Sequence, residues 1–174
     1  NVLDKLNTSN IYTGRLPRNT YSYRKVGKTE KFVLELPPGV KTIRVANVLG
    51  NQFGKTSGGN FEIAFPFIIF VVTLTSGKFQ KAQVFMRSTP MSEKDEKLCY
   101  PLFSNIFTTK DTSNRHYLCD ICTGDDVVNR PTSVETVNTM IEMFWASQFN
   151  SDLADTFIST MSGTSITSFE DWQA

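Results

Sequence analysis

The chain has 174 residues, 40% of them hydrophobic and 20% charged, with 14 phenylalanines and a formal charge of +1. That apolar content supports a packed core in one domain with or without tails, and excludes a wholly disordered chain. A net charge near zero excludes the overall basic excess of a dedicated nucleic-acid binder.

Residues 1–31 are polar and lack a periodic apolar pattern. They hold seven Lys/Arg against two acids, a local charge of +5, and are expected to form a basic N-terminal extension. Tyr21, Tyr23 and Arg24 within it offer a third-ranked nucleic-acid reading by stacking and phosphate pairing. The first residues lack the basic-then-apolar pattern of a secretory signal. The longest apolar stretch, 64–72, is interrupted by Pro66 and is about half the roughly 20 residues a spanning helix needs, so no membrane partner is expected.

Strand signals follow. Phe32-Val-Leu-Glu-Leu36 alternates and stops at Pro37-Pro38-Gly39. Residues 41–49 are rich in β-branched side chains, and a Gly/Asn/Ser-rich loop separates them from Phe61 to Leu74. Pro66 marks a bulge or break in that run. Ser76-Gly77-Lys78 reads as a hairpin turn, with 79–86 returning. Residues 32–87 are thus expected to form an antiparallel meander of about four strands.

Thr132-Ser-Val-Glu135 is a capping box. Val134, Val137, Ile141 and Phe144 recur at helical spacing beyond it, opposite Glu135, Asn138 and Glu142, and predict a helix over 132–149. A second helix is expected from Ser151 to about Met161. The order of strands then helices indicates an α+β fold with C-terminal helices packed on one face of the sheet. The expected domain covers 32–161, followed by a tail over 162–174. Residues 151–174 carry four acids and no base; the oppositely charged ends are solvated tails, or contact each other or a partner subunit.

All three cysteines and the single histidine fall within 24 residues: Cys99, His116, Cys119 and Cys122. An odd number of cysteines argues for free or metal-bound thiols in a reducing compartment. Three chemistries compete with simple burial. Cys99, His116, Cys119 and Cys122 are a legitimate tetrahedral zinc set, although there is one CxxC rather than two. Cys119-Asp-Ile-Cys122 has redox spacing but lacks the βαβ context. A single nucleophilic cysteine before Gly124 is the third. Under simple burial, the cysteines alternate in a short strand and one is interior. No cofactor is expected, with zinc as the alternative.

Several segments carry a resemblance: Phe65-Pro-Phe-Ile-Ile-Phe70, Pro90 to Tyr100, Pro101-Leu-Phe-Ser-Asn105, Cys122-Thr-Gly124 and Ser147-Gln-Phe-Asn-Ser-Asp-Leu153. Together they resemble the prokaryotic E2-like family of plasmid and phage gene cassettes (the PRTRC protein B type), similar to ubiquitin-conjugating enzymes. The resemblance covers about half of the chain. It implies a UBC-like fold, a ubiquitin-like modifier and an E1-like activating enzyme as protein partners, and a bacterial cytoplasmic setting, phage-encoded or otherwise. Carried over, Asn105 matches the amide that stabilises the oxyanion when a thioester is attacked. Cys122, or else Cys119, matches the thioester-bearing nucleophile. Phe103-Ser104 stands where the family has His-Pro. The alternative is a non-catalytic interaction or assembly protein of a phage or plasmid system, with or without a zinc staple.

Overall fold

Alternation along Phe32-Val-Leu-Glu-Leu36 turns Phe32 and Leu34 fully into the interior, and these two side chains anchor the central sheet. The computed structural model describes residues 15–46, 58–92, 97–101, 103, 105–110, 117–123 and 128–149. In chain order the elements are β1 (Thr20–Val26), β2 (Thr29–Leu36), β3 (Gly39–Val45), β4 (Gly59–Phe65), β5 (Phe67–Thr75), β6 (Lys78–Arg87), β7 (Ile106–Lys110), β8 (Tyr117–Ile121), α1 (Ser133–Ala146) and β9 (Gln148–Phe149). The chain is an α+β protein, mostly antiparallel, with one helix among the described residues. The expected second helix, 151–161, and the tail at 162–174 lie outside them.

The strands form a six-stranded sheet in the order β1-β2-β5-β6-β8-β7 and a three-stranded sheet in the order β4-β3-β9. The expected meander is therefore corrected. β2 pairs with β5, not with β3, because Pro37 and Pro38 take the chain out of the first sheet. β3 and β4 pair with each other in the second sheet. Pro66 does break the run from Phe61 to Leu74, and the break is where the chain passes from β4 in one sheet to β5 in the other. Proline has no N–H for the ladder, which makes it a natural exchange point. Both sheets feed one core: Ile43, Val45, Phe61, Ile63 and Phe65 from the smaller sheet join Phe32, Leu34, Phe70, Val72 and Val84 from the larger.

The sheet also starts earlier than the sequence suggests. The expected boundary at residue 31 falls inside β2, and residues 20–26 of the basic extension form β1, an edge strand paired with β2. β1 is almost wholly exposed, so its sequence carries no apolar alternation. Two tight turns set the register. Ser76 and Gly77, both at positive φ (54° and 76°), close β5 onto β6, as the mirror-image turn of a two-residue hairpin requires. Gly27, at φ 59°, begins the turn from β1 to β2.

Helix α1 opens on the capping box. Thr132 accepts from the Glu135 N–H, and the Glu135 carboxylate accepts from the Thr132 N–H. Thr136, fully buried, donates to the Thr132 carbonyl at 3.0 Å and accepts from the Arg130 N–H at 3.0 Å. Val137, Met140 and Phe144 face the core, and Val134 and Ile141 border that face. The helix ends at Ala146, three residues short of the expected Phe149. Ser147 takes an extended backbone conformation, and its Oγ donates to the Phe144 carbonyl at 2.7 Å. Gln148 and Phe149 then pair in parallel with Arg44 and Val45, a nonlocal partner that overrides the local helical pattern.

A buried carboxylate ties the N-terminus of α1 to the first hairpin. Glu30 accepts from Tyr23 Oη at 2.9 Å and from the Ser133 hydroxyl, and lies 3.3 Å from Lys25 Nζ. Burial pushes its pKa up, but the hydrogen bonds from Ser133, Tyr23 and Lys25, with the Lys25 charge, hold it below the ordinary 4.5. A depressed folded-state pKa gives stability that is present above the unfolded value and lost as pH falls through the folded one. Thermal unfolding should therefore show a falling midpoint as pH drops below that of an ordinary carboxylate. Glu30→Gln should flatten this window and cost about 1–3 kcal/mol at neutral pH, because it spoils a buried charge-assisted network.

Candidate functional site

The β7–β8 hairpin carries the cysteines. Ile106 pairs with Ile121 and Thr108 with Cys119. Strand alternation sends Ile121 and Cys119 to the same face, and both are buried there, Cys119 completely. Burial first, and then the charge of Asp120, push the Cys119 thiol up to about 12. The thiolate is the nucleophile, so Cys119 is an interior apolar group as it stands. It should resist iodoacetamide in the native protein at neutral pH and react only on unfolding. A thiol whose folded pKa lies above its unfolded value stabilises the fold at lower pH. That contribution is lost as pH rises from the ordinary 9.0 toward 12. Cys119→Ala should flatten this alkaline loss in a thermal-melt series.

Cys122 lies one residue beyond the end of β8 and is exposed. Its N–H donates to the main-chain carbonyl of Asn105 at 3.1 Å, which brings the two residues to one end of the hairpin. The Asn105 side chain is 8% exposed. Its Nδ2 donates to Ser147 Oγ at 3.2 Å, and its Oδ1 is buried without a partner among the described residues. The amide is thus turned toward the C-terminal end of α1. A small pocket of about 60 Å³ adjoins Cys122. Ile121, Val128, Met140, Met143 and Phe144 line it on its apolar side, with Thr123 and Ser147 beside Cys122.

Of the four candidate zinc ligands, Cys99 and Cys122 are not brought together. Cys99 is bridged to Met86 through both main-chain hydrogen bonds, at 3.0 and 2.8 Å. Gln83 stands opposite Asp120 in the β6–β8 ladder. That antiparallel register carries Cys122 toward the Lys81 end of β6, away from Met86. At about 3.3 Å per strand residue, Cys99 and Cys122 lie too far apart for one tetrahedral centre, whose ligands sit about 2.0–2.3 Å from the metal. His116 lies outside the described residues. Among the described residues no group of three His, Cys, Asp or Glu could hold a metal ion.

Ser147 and the pocket-lining Met140, Met143 and Val128 were not among the expected site residues. Ser147 had one legible signal, a hydroxyl at the end of an amphipathic run. The residues lining the pocket look like ordinary core positions. Comparison with protein-family models, curated proteins and solved structures finds no match. Among the described residues no helix is long and apolar enough to cross a membrane.

Proposed function

We propose that this is an E2-like domain of the prokaryotic plasmid and phage type, which carries a small ubiquitin-like modifier as a thioester on Cys122. The observation that carries the reading is the 3.1 Å hydrogen bond from the Cys122 N–H to the Asn105 carbonyl. The resemblance pairs these two residues, and they meet at one end of the β7–β8 hairpin. The exposure of Cys122 beside a pocket, against the full burial of Cys119, supports Cys122 as the proposed nucleophile.

The chemistry is acyl exchange. The Cys122 thiolate attacks the carbonyl of an activated thioester, a new C–S bond forms, and the donor thiolate leaves and takes up a proton. An amine later attacks the same carbonyl, loses a proton and expels the Cys122 thiolate. The Asn105 amide is the oxyanion donor that the resemblance implies. The activating partner is an E1-like enzyme, and the reducing bacterial cytoplasm keeps Cys99 and Cys122 as thiols. The UBC-like description of the fold belongs to the same proposal.

One observation favours a second reading, a non-catalytic relative kept for binding or assembly: the Asn105 amide is buried and bonded to Ser147. Acyl loading separates the two. A carrier gains the mass of a glycine-terminated peptide from its thioester in a form released by a reducing thiol, and a binding relative gains nothing.

A further inference from the structure

Asn105 is buried, and its amide Nδ2 reaches Ser147, while Oδ1 has no partner among the described residues. Ser147 decides which way the amide points. Ser147 Oγ has a single hydrogen and gives it to the Phe144 carbonyl at 2.7 Å. Only lone pairs remain on that oxygen, so it can meet Asn105 only as an acceptor. This fixes Nδ2 toward the end of α1 and Oδ1 away from it. The same residue supplies the main-chain carbonyl that holds the Cys122 N–H. Ser147 and Cys122 also line one pocket.

We infer that Ser147 is a positioning residue for Cys122, acting through Asn105. The capping hydroxyl of α1 holds the amide, and Asn105 in turn holds the main chain that presents the thiol. The inference rests on Cys122 being the reacting thiol of the proposed function, but its test needs no modifier.

The test is the pH–rate profile of iodoacetamide alkylation in a Cys99→Ser background, where Cys122 is the only exposed cysteine. Ser147→Ala frees the amide and loosens the chain at Cys122. Alkylation should be faster by about fivefold, the scale of one hydrogen bond. Ser147→Thr keeps a hydroxyl and should restore the parent profile. Thr132→Ala removes the cap at the other end of the same helix, with a comparable loss of stability, and should leave the profile unchanged. The inference is overturned if Ser147→Ala alkylates at the parent rate or slower. It is equally overturned if threonine fails to restore the profile, or if Thr132→Ala changes it as much. Should the profile move as expected while no acyl loading occurs, the carrier function falls and the positioning role stands.

Discussion

Cys122→Ser is expected to fold like the parent protein and to lose acyl loading completely. The side chain is exposed, and substitutions at exposed positions away from caps and networks usually change stability by no more than about 0.5 kcal/mol. The chemical loss is total because a serine hydroxyl has no accessible anion at neutral pH to replace the thiolate. Cys99→Ser and Cys119→Ala should both retain loading. Cys119→Ala separately tests burial: it removes a sulfur from a fully buried site and should lower the melting temperature without touching chemistry. Equal loading by the Cys122 and Cys99 variants would sink the assignment.

The largest effect on stability is expected from Phe144→Ala. Phe144 is 3% exposed and stands at the junction of α1 with both sheets. Its ring centroid is 5.3 Å from Phe70, 5.1 Å from Phe103 and 5.7 Å from Phe149. All three contacts are edge-to-face, the arrangement favoured by ring quadrupoles. Removing a buried aromatic ring costs about 3–5 kcal/mol through lost transfer energy and the cavity left behind, a large share of the roughly 5–15 kcal/mol that holds a domain together. The melting temperature should fall by about 10 °C or more. Val134→Ala, at the half-buried border of the same helix face, should cost far less. A Phe144→Ala protein that melts with the Val134→Ala protein would mean that this aromatic junction does not hold the layers together.

Some of this architecture was legible in the chain because its causes are local. The Thr132–Glu135 capping box, the Ser76-Gly77 turn and the break at Pro66 each follow from the chemistry of a few adjacent residues. What the sequence hid was nonlocal. Nothing in Lys41-Thr-Ile-Arg-Val45 says that β3 leaves the first sheet, since a strand's partner is chosen by packing across the core. Nor does Gln148-Phe149 announce a parallel partner in Arg44-Val45, so the helical periodicity runs past the end of the helix. β1 escaped notice because an exposed edge strand needs no apolar face.

The candidate site divides in the same way. Clustering marked the cysteines, but spacing alone left zinc, redox, nucleophile and burial open. Strand alternation in β8 buries Cys119 and ends just short of Cys122, so two cysteines three positions apart have opposite exposure. Asn105 was singled out only through the resemblance; as a residue in a turn it carries no signal of its own. Its link to Ser147 spans 42 positions and could be seen only once the helix was folded against the hairpin.

The central claim, that Cys122 is the acyl-accepting thiol, is tested most directly by mapping the adduct. The parent protein is incubated with a glycine-terminated peptide thioester, digested under acidic non-reducing conditions and analysed by mass spectrometry. The predicted result is a single peptide thioester, on the fragment containing Cys122, that a reducing thiol removes. An adduct carried equally by Cys99, or no adduct on Cys122 while iodoacetamide labels it freely, would contradict the claim.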